Sequence, residues 1–416
     1  MGNALDSLWN GRYVMESSAI RGLWRSHSRM KLIFASDFAP IRRFAPLMLK
    51  QPTAVYGDLL ERLQKADYRI VNLECPLWTG ERYITKSGAA FSGIPEHIGA
   101  LTAGGFQAAI LANNHTFDSG ESGFRFTRDL LSKNGIHYVG AGATLRQARQ
   151  PMAIDCQGVR ILVLAISEGE DMQGATARKP GVRGWDVLRM AADIRRAKGH
   201  YDAILISAHC GLEYQPFPSY YVYAAFRKWA EAGADLIIGH HPHVPQGMTI
   251  FGKCPAYFSL GNFAFYQETP LYYRKIGYLL EMEITHQGVE SHRPIPYRIQ
   301  DTGLSLLHGD ELREFRKLFT KLSRPLKTPR QALAAWHAVL AANGVEGFRQ
   351  ELAKILQAFQ DNPPHGAAML RNRVCCEQHR TQWIDGLTRV ADLTIDDAPE
   401  ELVALVREYQ TRRVDE

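Results

Sequence analysis

The sequence predicts an α/β fold followed by a purely helical region. Three observations carry that prediction. Short apolar, β-rich runs alternate with helical segments from residue 31 to about 300, the pattern of a layered sheet with covering helices. Six of those runs (LIFASD, IVNLE, AAILANNH, AILISAH, ADLIIGHHPH and YFSLGN) end in side chains able to bind a cation or do acid–base work. From about residue 305 the strand texture stops and only helical patterns remain.

In chain order, residues 1–30 read as an N-terminal arm with helical content around Met15–Trp24. Residues 31–300 read as the α/β domain, with helical patterns at Tyr56–Lys65, Glu96–Ala103, Gly120–Asn134, Trp185–Ala197 and Tyr220–Ala232. The β-like runs Tyr278–Thr285 and Ile295–Ile299 have no helix between them, which points to a hairpin or a second sheet. Residues 301–416 read as a helical domain with segments Glu311–Leu322, Pro329–Ala342, Gly347–Gln360, Ala367–Val390 and Pro399–Thr411. There apolar residues recur at three and four, as in Leu352, Ile355, Leu356 and Phe359.

Composition narrows the function classes. The chain has 416 residues, 45% hydrophobic and 22% charged, which is ordinary for a globular protein of two or three domains. Its net charge of +6 is diffuse. Without a dense Lys/Arg block or interleaved aromatic stripe this argues against a nucleic-acid partner, and at most favours an anionic small molecule or polymer. No apolar stretch reaches bilayer length, so no membrane span is expected. The N-terminus carries no signal-peptide run. Met1-Gly2 fails as an acylation signal because Asp6 stands where Ser or Thr is needed. Six cysteines without framework spacing predict free thiols in a cytoplasmic protein. A bridge between the adjacent Cys375 and Cys376 would be strained.

The strand-end residues differ in how much each says alone. His241-Pro242-His243 follows an apolar strand, and this spacing lets two imidazoles reach neighbouring metal ions from one rigid turn. Three histidines in four residues make a merely polar loop the weaker explanation; His240 is set aside because adjacent side chains point in different directions. Asp37 alone would be a helix cap. Glu74, before Cys75-Pro76, is a carboxylate able to bridge two cations. Asn114 offers a neutral oxygen, with an Asx turn at Asn113-Asn114 as the rival explanation. His115 suits a ligand or a general acid, and Asp118 either orients it by hydrogen bonding or caps the next helix. His209 gains weight only from its company. Glu213 and Tyr214 either reach the same cleft or are simply solvated. Asn262 either orients substrate or holds its turn.

As an ordered set, ASDFAP, VNLECPL, ANNHTFDSG, HCGLEY, GHHPHVPQG and SLGNF resemble the CapA family of capsule and poly-γ-glutamate synthesis proteins, over about residues 31–290. The resemblance implies a metallophosphatase-like four-layer α-β-β-α sandwich with two divalent metal ions (manganese, iron or zinc) at the strand ends. It implies that Asp37 and His243 hold one ion, Glu74 bridges, and Asn114, His209 and His241 hold the second. His115, steadied by Asp118, would protonate a leaving group. The implied function is a metal-dependent hydrolase of a phosphate ester or related anionic substrate. The alternative is a non-hydrolytic accessory of capsule or poly-γ-glutamate production, binding an anionic polymer or a ligase partner. Two positions depart from the family pattern: Ser36 stands where Gly precedes the Asp, and Cys210 replaces an aromatic beside a presumed ligand, which either widens the pocket or leaves a thiol there.

Overall fold

The computed structural model describes residues 28–80 and 83–414; the helix expected around Met15–Trp24 lies outside the described residues. β1 (Arg29–Ala39) is followed by α1 (Phe44–Lys50), α2 (Leu59–Gln64), β2 (Tyr68–Leu73), α3 (Ile98–Ala103), β3 (Ala108–Ile110), α4 (Gly120–Lys133) and β4 (His137–Val139). Next come β5 (Ala141–Gly142), α5 (Leu145–Ala148), β6 (Met152–Cys156), β7 (Val159–Ser167), β8 (Gly181–Val182), α6 (Val187–Ala197), β9 (Ala203–His209), α7 (Tyr220–Ala232) and β10 (Leu236–His240). Six strands and five helices close the chain: β11 (Met248–Phe251), β12 (Cys254–Tyr257), β13 (Asn262–Phe265), β14 (Ile276–Thr285), β15 (Gly288–Gln300), β16 (Gly303–Leu306), α8 (Gly309–Ser323), α9 (Pro329–Asp361), α10 (Pro363–Cys375), α11 (Glu377–Ala391) and α12 (Glu400–Thr411).

Two sheets form the centre. The first runs β16-β15-β14-β1-β2-β3-β4, with β13 pairing the far end of β1; the second runs β11-β12-β10-β9-β7-β6. Successive strand residues face opposite ways, and β1 shows the consequence. Leu32 and Phe34 join Ile70, Val163, Leu205 and Ile238 in a core shared by both sheets. Ile33 and Ala35 face outward, under Phe44, Leu59, Leu101 and Phe124 of the first four helices. On the far side Leu164, Ile206 and Ile237 are covered by Met190, Ile194, Phe226 and Trp229 of α6 and α7. Covering both faces of each sheet is why these strands read as continuous apolar runs. The result is the helix–sheet–sheet–helix sandwich expected of a metallophosphatase-like fold.

The two late β-runs form a hairpin, β14–β15, that extends the first sheet antiparallel to β1. The C-terminal helices pack onto the same body. Phe315, Phe319, Trp336 and Tyr409 belong to the core shared by the sheets, and Tyr409 stacks on Tyr273 with ring centroids 3.8 Å apart. The expected break between residues 342 and 347 is present inside α9, at Gly344 (φ 58°, ψ −176°). The expected single helix Ala367–Val390 is instead two. α10 begins earlier, where the Asn362 side chain accepts from the His365 amide and Pro363 takes the first helical position; the backbone turns extended at Cys376 before α11. All six cysteines are unpaired. No helix among the described residues is long and apolar enough to cross a membrane.

Candidate metal centre

The centre begins with an irregularity in β1. Pairing with β2 shifts register between Ala35 and Asp37, leaving Ser36 as the extra residue; such bulges re-aim the side chains that follow. On its other edge β1 exchanges β14, paired to Phe34, for β13, paired at Asp37↔Asn262. Asp37 is thereby buried between two asparagine-bearing strands. Asn72 donates Nδ2–H to Asp37 Oδ1 at 2.7 Å, while Asp37 Oδ2 has no hydrogen-bond partner among the described residues.

Glu74, one residue beyond β2, is fully buried, and neither of its oxygens is hydrogen-bonded among the described residues. Its Oε1 lies 3.3 Å from His209 Nε2 and 3.7 Å from His243 Nε2. His209 ends β9, in register with His240 at the end of β10. The chain then turns through left-handed backbone at His241 (φ 97°) and His243 (φ 57°), conformations that persist only when the surroundings hold them. The turn brings His241 Nδ1 to 3.1 Å from His209 Nε2 and leaves His241 Nε2 unpartnered. His243 Nδ1 lies 2.8 Å from Asn262 Oδ1, which fixes its ring. Asn114 Oδ1 lies 2.9 Å from His209 Nε2.

Potential ligand atoms lie within 4.8 Å of one another in each of three groups: Asp37, Glu74 and His243; Glu74, His209 and His241; and Glu213, His241 and His243. Glu74 joins the first two. The electrostatics fit a cation-binding site. Burial, then the Glu74 charge, push Asp37 up to about 6, and burial raises Glu74 as well. Burial pushes His241 down to about 3 and His209 well below its ordinary value. Unlike His209 and His241, His243 is raised, because Glu74, Glu213 and Asp37 outweigh the opposing effect of burial. Buried acceptors without donors are costly and rare. The unpartnered Asp37 Oδ2, Glu74 Oε1 and Oε2 and His241 Nε2 form a nitrogen–oxygen donor set that fits divalent cations.

Beside this cluster, Asn113 and Asn114 divide the two roles the sequence left open. Asn113 Oδ1 accepts from the His115 amide (3.1 Å) and from Thr116 Oγ1 (2.9 Å), holding the turn, while Asn114 faces the histidines. His115 Nδ1 lies 2.7 Å from Asp118 Oδ2, and its ring stacks on Phe91 at 4.0 Å. Asp118 is not a cap: Ser119 holds that position without a side-chain cap bond, and the Asp118 oxygens are engaged by Lys86, His115 and the Phe91 amide. Burial pushes the Asp118 carboxyl up, but His115 and Lys86 more than offset it and hold it below its ordinary value.

The sequence motifs do not mark Lys86 or Glu170, and other residues outside the predicted ligand set contribute as well. Buried Lys86 donates to Asp118 Oδ1 at 2.8 Å and to the Asn114 carbonyl at 2.9 Å. Glu170 Oε2 accepts from Asn114 Nδ2 at 2.7 Å. Ser36 Oγ lies 3.2 Å from Nδ1 of His240, whose ring stacks on Phe34 and backs Asp37 at 3.6 Å. The rim holds Glu213, its side chain 40% exposed and 3.8 Å from His243. It also holds Tyr214, stacked on His243 at 5.9 Å with the Arg274 guanidinium 3.4 Å from its ring. Asn262 differs from the substrate-orienting role: it is fully buried, and its amide is spent on His243, Oδ1 toward the ring and Nδ2 toward the carbonyl. The Cys210 thiol does not line the site either, because the side chain packs into the core beneath α6 and α7.

Comparison with known proteins agrees with the family resemblance. The chain is 27% identical over 287 residues to capsule biosynthesis protein CapA of Bacillus anthracis, covering 67% of this chain and 69% of that protein. It is 33% identical over 175 residues to PGA biosynthesis protein CapA of Bacillus subtilis (strain 168), covering 41% and 46%. It is 28% identical over 225 residues to a probable polyglutamine synthesis accessory protein of Mycobacterium tuberculosis, covering 50% and 58%. Among solved structures it is similar to a 5'-nucleotidase precursor from Thermus thermophilus, with TM-score 0.41, 13% identity, and coverage of 72% of this chain and 59% of that one. The family model for bacterial capsule synthesis protein PGA_cap matches residues 23–267, more than half of the chain and all of the stretch from Asp37 to Asn262. The chain belongs to the bacterial capsule synthesis protein PGA_cap family.

Proposed function

We propose that this chain is a metal-dependent hydrolase of a phosphate ester or a related anionic bond, working with the partners of capsule synthesis. The observation that carries this is Glu74, a buried carboxylate with no hydrogen bond to either oxygen among the described residues and a member of two groups of potential ligands. Asp37, Glu74 and His243 would hold one divalent cation, and Glu74, Asn114, His209 and His241 a second. Bound there, manganese, iron or zinc supplies Lewis acidity toward an anionic substrate and activates water near neutral pH.

The surrounding residues do the positioning and the proton transfer. Asn72 and Asn262 fix Asp37 and His243 from behind. In its protonated form His115 donates Nδ1–H to Asp118 and carries the transferable proton on Nε2, which passes to the departing oxygen. Lys86 donates to the other oxygen of the same carboxylate and helps hold Asp118 ionised as the acceptor for His115. Arg274 and Tyr214 at the rim favour an anionic substrate. A second reading, a non-hydrolytic accessory that binds an anionic polymer or ligase partner, is favoured by the accessory role in the name of the Mycobacterium relative.

One assay separates the two. Manganese-loaded protein is offered phosphomonoesters, phosphodiesters and γ-glutamyl peptides. Hydrolysis of an ester is expected, with His115→Ala lowering kcat by about 10²–10⁴-fold at unchanged metal content. Metal binding without turnover of any class, together with retention of a polyanionic polymer, would favour the accessory.

A further inference from the structure

We infer that helices α10 and α11, which lie beyond the residues matched by the family model, complete the metal centre by holding Glu170 and Lys86 in place against it. The inference rests on that centre being the functional site. Glu170 acts on Asn114. An amide can present either its oxygen or its NH₂ to a cation, and only the oxygen ligates. With Asn114 Nδ2 donating to Glu170 Oε2 at 2.7 Å, Oδ1 is the end turned toward His209. Glu170 is in turn held from α11. Its Oε1 accepts from Gln378 Nε2 and lies 3.4 Å from His379 Nε2.

The loop carrying Glu170 would not hold this shape unaided. Gly169, Asp171 and Met172 all have left-handed backbone, with φ of 69°, 52° and 63°, and for the two non-glycine residues this is a strained choice. Asn372, buried in α10, pins the loop by accepting the Asp171 amide at 3.0 Å. The same side chain donates to Ser87 Oγ at 2.9 Å, and Ser87 bonds the Asp171 carboxylate through its amide (2.9 Å) and its hydroxyl (3.0 Å). His365 Nδ1 lies 3.1 Å from the Lys86 carbonyl. Lys86 is therefore anchored by α10 at its own carbonyl and at the following residue, Ser87, while its ammonium reaches Asn114 and Asp118. The two charged side chains that fix the orientation of the Asn114 amide and the His115–Asp118 pair both depend on one helical hairpin. Gln378, Asn372 and His365 are positioning residues in this scheme.

The test uses the full chain with Gln378→Met and Asn372→Ala. A third variant, Trp336→Phe, loses the 2.8 Å bond from Trp336 Nε1 to Asp385 between α9 and α11, away from Glu170. Manganese alone is titrated calorimetrically. Loss of an outer partner costs about 10–100-fold in metal affinity, so Gln378→Met should weaken one of two ions by that factor and leave the other within about twofold. Trp336→Phe should change neither. In parallel, amide hydrogen exchange of the chelated protein should accelerate at residues 84–88 and 112–118 in both polar variants and stay unchanged along β9. Equal weakening of both ions, uniform acceleration, or the same response in Trp336→Phe would reduce the helices to packing and overturn the inference. If the wild-type chain takes up no manganese, the metal centre itself fails, and the exchange measurement alone decides whether α10 and α11 position Asn114 and Lys86.

Discussion

At Asp37, burial and the neighbouring Glu74 charge move the pKa from 3.8 to about 6. Between those values the folded chain binds more protons than the unfolded one. Stability from this group therefore falls as pH rises through that window, by on the order of 3 kcal/mol once the carboxylate is ionised. His240 and His241 act in the opposite sense. They are pushed by burial to about 4 and about 3, and their contribution is lost as the pH falls through those values. Comparing variants isolates Asp37. Asp37→Asn keeps an oxygen for Asn72, so it should raise the thermal midpoint of chelated protein at pH 8, lose that advantage near pH 4, and abolish binding of at least one cation. Melting curves at both pH values check this; a lower midpoint at pH 8 would mean a protein group already neutralises the carboxylate. Asp37, Glu74, His209 and the two histidines around Pro242 were legible in the sequence because a strand end is a local pattern. Asn72 left a weaker signal, a polar residue two positions after the core residue Ile70 on the same strand face. Lys86 and Glu170 left none, since each sits in an aperiodic loop and meets the site only through tertiary packing.

Among the elements, β10 places a strict demand on backbone spacing where the His241–His243 turn springs directly from it. A Cβ at Gly239 would meet the Phe258 carbonyl oxygen at 2.0 Å and its carbon at 2.7 Å. Neither is a side-chain end that can rotate away, so Gly239→Ala must shift the strand. The expected cost is about 1–3 kcal/mol together with weakened binding of both cations. Gly344→Ala is the matched contrast. Its Cβ would enter open space, but the conformation at the α9 break is nearly restricted to glycine, so a similar loss of about 1–3 kcal/mol should come with unchanged manganese affinity. Denaturant titration paired with metal titration checks both; equal metal affinity in the two variants would uncouple β10 from the centre. The same helices show what periodicity reveals. The α9 break was legible because glycines interrupt the pattern there. The break at Cys376 was not, because the apolar pattern runs through it. That turn is associated with a tertiary contact, Cys376 Sγ lying 3.9 Å from Glu168 Oε2, and a sequence pattern carries no trace of it.

For the molecule as a whole, the two sheets bring their ligand-bearing strand ends together and leave buried acceptors between them unanswered. A cation bound there, as proposed, would stabilise the folded chain according to its occupancy, by about 2.7 kcal/mol per site at a concentration a hundred times Kd. Chelation should lower the thermal midpoint, and manganese should restore it. The increment should shrink as the pH falls below about 6, because Asp37 must lose its proton to bind a cation. The size of the increment in single variants then tests the architecture. Two independent sites would lose their contributions one at a time, so any single substitution would spare roughly half of the manganese effect. A shared carboxylate gives a different result. Glu74 belongs to the group with Asp37 and His243 and to the group with His209 and His241, so Glu74→Gln should remove nearly the whole increment. His241→Ala should remove only part of it, since Asp37, Glu74 and His243 remain. If Glu74→Gln keeps half of the manganese-dependent rise, the two groups do not share a ligand, and the cations sit in separate sites that happen to be neighbours.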